Sequence, residues 1–214
     1  DKLFLLAVSV AGGPQFAGFQ WDEMAVQWER LEKNIMLVRP NLSHKAAENT
    51  PLAHVVGRTF TSSIVLATPI VAMDGDTALI DLNAVFKSDF AQLAGAVSYV
   101  GGGHYQMNPE LSKWLVTKGF PQNTELGVEA AFVGGGGGWG GGGNVADSRG
   151  VRMRVHYSLS DLPANGYASR EADDRVGYFL TAVKDYSKDH SSRGMFRRLI
   201  HRWALEKLDP SLEM

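Results

Sequence analysis

The chain has no cysteine among its 214 residues. That excludes disulfide scaffolds, cysteine nucleophiles and thiolate zinc sites together. It leaves the compartment open. No apolar run approaches the ~20 residues that a helix needs to span a bilayer. Charge of one sign is lacking too: 21 Lys and Arg against 23 Asp and Glu give a formal net charge of −2. A chain so balanced carries no global footprint for nucleic acid or an anionic membrane. No fixed-period repeat is present, which argues against solenoids and propellers. What remains is 44% hydrophobic and 21% charged, the composition of a globular protein long enough for one domain or one and a half. Asp1 is followed at once by the apolar run Leu3–Val8, with no charged n-region or cleavage site. This reads as a strand entered near its start in a fragment or processed piece, not as a signal peptide.

Catalytic signatures are equally sparse. The histidines are His44, His54, His104, His156, His190 and His201. No two of them stand four apart with the intervening glutamate that a zincin helix uses as general base. A dispersed metal site assembled by the fold is the alternative. No Gly-x-Ser-x-Gly elbow occurs. The run Gly134–Gly143, glycine throughout except Trp139, contains Gly-x-Gly-x-x-Gly trivially. A phosphate cradle would need a helix opening after it, and Asn144–Gly150 opens none. The run reads instead as an overlong hairpin connection inserted at the surface, since loop closure costs little entropy per added residue. Gly101-Gly102-Gly103-His104 reads as a turn with an exposed histidine. Asp74 and Asp76 flank Gly75 as turn chemistry requires. Asp173-Asp174 lies between Arg170 and Arg175, so it is either a loop-locking network of bidentate pairs or a contact for another domain. Trp21, Trp28, Trp114, Trp139 and Trp203 serve either as packing or as a sugar-stacking platform.

Periodicity organises the chain into strands. Residues 3–10 form a strand closed by Ala11–Pro14. Alternation across 26–31 and 35–39 around Glu32–Asn34 predicts a hairpin. A short helix fits 45–57. Dense β-branching over 59–73 predicts a strand, with a tight turn at 74–76 into 78–82. A short helix fits 85–93. Strands are predicted for 112–118, 124–133 and 151–159, the last with Val151, Met153 and Val155 alternating against Arg152, Arg154 and His156. Residues 178–186 and 195–207 predict a third hairpin, although Phe196, Leu199, Ile200 and Trp203 also fit a helix face.

One block carries a resemblance. Residues 163–179 read Pro-Ala-Asn-Gly-Tyr-Ala-Ser-Arg-Glu-Ala-Asp-Asp-Arg-Val-Gly-Tyr-Phe. They are followed by Lys184–Asp189 (Lys-Asp-Tyr-Ser-Lys-Asp) and by 201–211 (His-Arg-Trp-Ala-Leu-Glu-Lys-Leu-Asp-Pro-Ser). With Asp147–Gly150 and His156–Leu159, this order resembles the segment just upstream of the catalytic domain in a family of large bacterial zinc-dependent metalloproteases. The motif positions are Arg149, His156, Tyr157, Asp173, Arg175, Gly177, Tyr178, Phe179, Arg202, Trp203, Glu206, Lys207, Asp209 and Pro210. The likeness is loose over 1–130. It implies a secreted or periplasmic parent that hydrolyses peptide bonds in peptide or protein substrates with zinc-activated water. That family's His-Glu-x-x-His lies beyond this point and is not in the chain.

Together these readings predict an α+β fold that is predominantly antiparallel β, a meander of hairpins with a few short helices. Residues 1–160 form a β-rich domain carrying the 134–143 insertion. Residues 161–214 form a linker and hairpin leading into a C-terminal peptidase domain, the implied partner. The expected role is non-catalytic, with zinc only in the parent, no catalytic or metal residue here, and no activity alone. Interface or structural roles fall to Arg149, His156, Tyr157, Asp173, Asp174, Arg175, Tyr178, Arg202 and Trp203. The rival classes are a free-standing β-rich binding or adhesion module of an exported protein, and a hydrolase whose active site follows no motif.

Overall fold

The computed structural model describes residues 2–135, 145–162, 168–173, 175, 179–188 and 194–201. Along the chain run β1 (Leu3–Gly12), β2 (Phe19–Leu31), β3 (Asn34–Arg39), β4 (His44–Lys45), α1 (Pro51–Thr59), β5 (Ser63–Asp74), β6 (Thr77–Ile80), α2 (Leu82–Phe86), α3 (Leu93–Gly101), β7 (Tyr105–Gly119), β8 (Asn123–Gly134), β9 (Gly150–Asp161), β10 (Leu180–Asp185) and β11 (Phe196–Ile200). They fall into two compact units. The first comprises Asp1–Pro40 and Ser63–Leu162, the second Asn41–Ser62 and Pro163–Met214.

In the first unit eight strands lie in the order β6-β5-β3-β2-β1-β9-β8-β7. Every neighbouring pair is antiparallel. Two meanders, β1-β2-β3-β5-β6 and β7-β8-β9, are joined where β9 pairs with β1, from Phe4↔Asp161 to Gly12↔Arg154. The period-2 alternation puts Leu6, Val8 and Val10 of β1 on one face. Val151, Met153, Val155 and Tyr157 of β9 and Leu126, Val128, Ala130 and Phe132 of β8 join them, all buried. The sheet curls into a half-barrel. Val85, Phe86, Leu93 and Val97 of the two short helices pack into the same core. The fold is thus predominantly antiparallel β, with three short helices among the described residues.

Local chemistry sets the boundaries. Thr50 caps α1 by accepting the Ala53 N–H at 3.1 Å, with Pro51 in the first turn. The helix therefore starts later than 45 and runs through Gly57 to Thr59, so β5 begins at Ser63 and not at 59. The residues expected to form one helix over 85–93 divide between α2 and α3, with Asp89 between them. Its two carboxylate oxygens accept the Leu93 and Ala94 N–H groups at 2.7 and 3.0 Å. β7 starts seven residues before the expected position 112, because a bulge interrupts the alternation between Asn108 and Lys113. There the Ser112 hydroxyl accepts the Ala131 N–H at 3.0 Å, replacing the missing backbone partner.

The second unit holds a three-stranded sheet in the order β11-β10-β4. β10 and β11 form the expected hairpin, and 196–200 is strand rather than helix. β4 adds in parallel through Lys184↔His44 and Asp185↔Lys45. Residues 41–62, which the sequence alone assigns to the N-terminal domain, belong to this unit because of that pairing. The His44 ring stacks on Phe60 with centroids 3.8 Å apart. Val56 is the one buried hydrophobic side chain among the unit's described residues.

The glycine run is not uniform filler. Residues 136–144 lie outside the described residues, but Gly134 and Gly135 at its start have φ of 143° and 81°. A Cβ on Gly135 would fall well inside contact with the Ser148 carbonyl oxygen, and one on Gly134 inside contact with that of His104. Gly135→Ala should therefore lower the thermal midpoint, at a cost on the order of 1–3 kcal/mol for the left-handed backbone alone. Gly119→Ala, whose Cβ meets open space, should leave the midpoint nearly unchanged. Equal midpoints for the two variants would return Gly135 to the freely replaceable insertion.

Candidate functional site

The outward face of β8 and β9 gathers charge through register alone. Glu129 lies opposite Arg154, Gly127 opposite His156 and Glu125 opposite Ser158, so these side chains share one face. Glu129 meets Lys113 of β7 at 3.1 Å, and Arg152 and Arg154 at 3.7 Å each. Its side chain keeps only 13% of its surface accessible. The Lys113 hydrogen bond chiefly holds its carboxyl below the usual value. Partial burial opposes this, and the charges of Lys113, Arg152 and Arg154 add to the lowering.

Glu125 forms a second cluster beside it. One carboxylate oxygen accepts from Asn123 Nδ2 at 2.6 Å and from the Ser158 hydroxyl at 2.8 Å. The other lies 2.8 Å from His156 Nε2, but off the axis of a hydrogen bond. Gly127 carries no side chain across from His156, which leaves the ring room to lean toward Glu125. Serine, histidine and carboxylate thus meet, but in the wrong order for a nucleophile. Ser158 donates to the carboxylate rather than to the imidazole that would have to take its proton.

Tyr157 points the other way, into the core. Its ring lies 5.1 Å from Phe86 and 5.5 Å from Phe90, centroid to centroid. Burial, and then the negative charge of Asp89, push its phenol well above the usual value. Burial also raises the Asp89 carboxyl, against the two helix N–H groups that it accepts. Both perturbed groups have structural explanations, core packing and helix capping.

Arg149 and Arg175 occupy matching local clips. Asp147 accepts the Arg149 backbone N–H at 2.9 Å and its guanidinium at 2.5–3.1 Å. Side-chain and backbone hydrogen bonds from Arg149 bring the Asp147 carboxyl down to about 2. Asp173 takes the Arg175 backbone N–H at 2.8 Å and the guanidinium at 2.6 and 3.0 Å. Arg175 is 87% exposed. The clip is therefore a solvated Asp-x-Arg turn rather than a buried lock. Removing either arginine should cost no more than a surface ion pair does. Asp174, Tyr178, Arg202 and Trp203 lie outside the described residues. His156 and Tyr157 are adjacent in sequence but on opposite faces of β9, Tyr157 buried and His156 turned outward, so within the first unit the two do not share a site. Glu125 and Glu129 belong to no sequence motif. The alternation Glu125, Gly127, Glu129 matched against Arg152, Arg154, His156 across the glycine connection is the signal that points to them.

For zinc, which the resemblance implies in the parent, no group of three or more His, Asp or Glu side chains is arranged to hold a metal among the described residues. No step through a metal is assigned to this chain. No helix among the described residues is long and apolar enough to cross a membrane.

A curled antiparallel sheet with a polar outer ladder and a small second sheet defines a β protein without an assembled catalytic constellation among its described residues. Residues 18–208 match the family described as a domain of unknown function (DUF5117), and the chain belongs to that family. No curated protein and no solved structure matches it.

The Glu129 cluster has a pH signature. A carboxyl held low in the folded state contributes stability above its ordinary value of 4.5 and loses it as pH falls through the depressed value. Glu129→Gln should lower the urea midpoint at pH 7, leaving three cations facing one another. The gap from the unaltered chain should close as pH drops below 4.5. A gap constant from neutral to strongly acid pH would show that the ladder contributes packing rather than charge.

Proposed function

We propose that this chain is a non-catalytic region of a secreted or periplasmic zinc-dependent metallopeptidase, packing on or assisting the folding of the peptidase domain. The motif order over 147–211 supports this reading. The observation that carries it is the poor self-burial of the second unit. Among its described residues only Val56 is a buried hydrophobic. Phe179 is 75% exposed, and Leu180 and Phe196 are exposed on the β10–β11 hairpin. A sheet of three strands needs a covering layer on its apolar face. Among the described residues, the outer edge of β11 meets a short bridging segment, where the Ala172 N–H donates to the Arg198 carbonyl and the Ile200 N–H to that of Arg170. Exposed apolar surface next to a lightly covered edge suits a docking partner. A free-standing binding module would instead cover this surface with its own residues.

The gene should encode a His-Glu-x-x-His downstream of residue 214. The peptidase domain so encoded should bind the 214-residue chain added in trans. The chain alone, given zinc and casein, should release no peptides. Chelator-sensitive hydrolysis by the chain alone, or a peptidase domain indifferent to it in pull-down and thermal-shift assays, would overturn the proposal.

A further inference from the structure

A cavity of about 530 Å³ opens at one end of the first unit's sheet, where β2 and β5 begin and β3 ends. Its volume lies within the range of about 300–1,000 Å³ typical of small-molecule sites. One wall is apolar, formed by Trp21, Met24 and Phe90. The Trp21 ring is fixed by its indole N–H, which donates to the Ala91 carbonyl at 2.8 Å. The other wall is polar: Asp22 Oδ1 accepts the Glu23 N–H at 2.8 Å, and Asp22 Oδ2 forms a loose ion pair with Arg39. Arg39 Nη1 stands 3.8 Å from Asp22 Oδ2, too far for a hydrogen bond. No hydrogen bond engages the Arg39 guanidinium, and none the Gln92 amide, among the described residues. Gln92 sits at φ 58° and ψ 36° and makes no capping bond of its own, because Asp89 caps α3 in its place. A non-glycine residue held in that region is a costly conformation that persists only where its surroundings impose it. Here Gln92 lines the cavity, its side-chain amide making no hydrogen bond among the described residues.

We propose that this cavity binds a free α-amino acid with a large apolar side chain. The ligand's carboxylate would take the Arg39 fork and its ammonium Asp22 Oδ2, parting the loose ion pair between them. Its side chain would lie against Trp21, Met24 and Phe90. The separation of Arg39 and Asp22 favours this class. A guanidinium and a carboxylate that nearly touch without bonding can each gain a charge-assisted hydrogen bond from a zwitterion whose two charges sit on one carbon. Both groups are partly solvated, so little is lost in parting them. A fatty acid would leave Asp22 facing its own negative head group, and an amine would leave Arg39 facing a cation. This inference goes beyond the docking role and does not rest on it.

Isothermal titration calorimetry of the full chain with L-phenylalanine, N-acetyl-L-phenylalanine, L-phenylalanine amide, L-alanine and the dipeptide Phe-Phe tests it. Saturable binding of one phenylalanine per chain is expected. Blocking either end, shortening the side chain to that of alanine, or separating the charges in the dipeptide should each weaken it at least about tenfold. Arg39→Gln and Asp22→Asn should do the same, while Arg154→Gln on the opposite face should not. No saturable heat at millimolar phenylalanine overturns the proposal, as does equal affinity for the blocked forms or the dipeptide. The ligand series is measured on the unaltered chain, so misfolding of a variant does not leave the outcome open.

Discussion

The pairing of β1 with β9 joins the two meanders, and the order of the first unit depends on it. β1 has β2 on one side and β9 on the other. Its register with β9 decides which face each side chain takes. Leu6, Val8 and Val10 turn inward with Val155 and Tyr157, while His156 and Arg154 turn outward to Glu125 and Glu129. A slip of one residue would exchange the two sets, driving charge into the core and aromatic surface into water. One register therefore maintains both the packed face and the polar ladder. Trp21 lies at the β1–β2 irregularity opposite Val8 and Ser9, where an alternating strand alone would not deliver its ring to the cavity.

The two units differ in kind. The first closes its concave face with its own helices, and the buried Phe132, Met153, Leu93 and Val97 show a core filled from within. The second ties its strands together by backbone pairing and by local polar bonds. Asp185 typifies it. Burial raises its carboxyl, but the Ser187 hydroxyl and N–H together with Lys45 carry it below the usual value. Such contacts hold a sheet in register without burying its apolar face. Conformational entropy still opposes the ordering of those strands, and the proposed docking partner would supply apolar burial that the unit's described residues provide only at Val56.

Much of the fold is legible in the sequence where alternation is clean and turn residues are strong. The hairpin around Glu32-Lys33, the turn at Gly75 and the strand Val151–Leu159 all follow from period 2 and turn chemistry. α3 is not legible. Leu93, Ala94, Ala96, Val97 and Val100 are apolar on nearly every side, as in a buried helix, and Gly95 and Gly101 lower its propensity. β4 is two residues long and exists only through a parallel partner far along the chain, which no local signal announces. The bulge on β7 hides its first half, because Ser112 substitutes for backbone in a way that alternation does not reveal. The candidate site is less legible still. The Arg149 and Arg175 clips follow from Asp-x-Arg spacing, but their exposure does not. The cavity residues Trp21, Arg39 and Gln92 come from separate elements that only the fold brings together.

Hydrogen exchange followed amide by amide separates a first unit closed by its own helices from a second unit that, as proposed, docks on a peptidase domain. In the isolated chain the amides of β1, β8 and β9 should exchange only through global unfolding, and those of β10 and β11 through a much cheaper local opening. Adding the peptidase domain should slow exchange in β10 and β11 and leave β1 and β9 unchanged. Uniform protection of both sheets in the isolated chain, or no slowing on addition of the peptidase domain, would show that the second unit needs no partner.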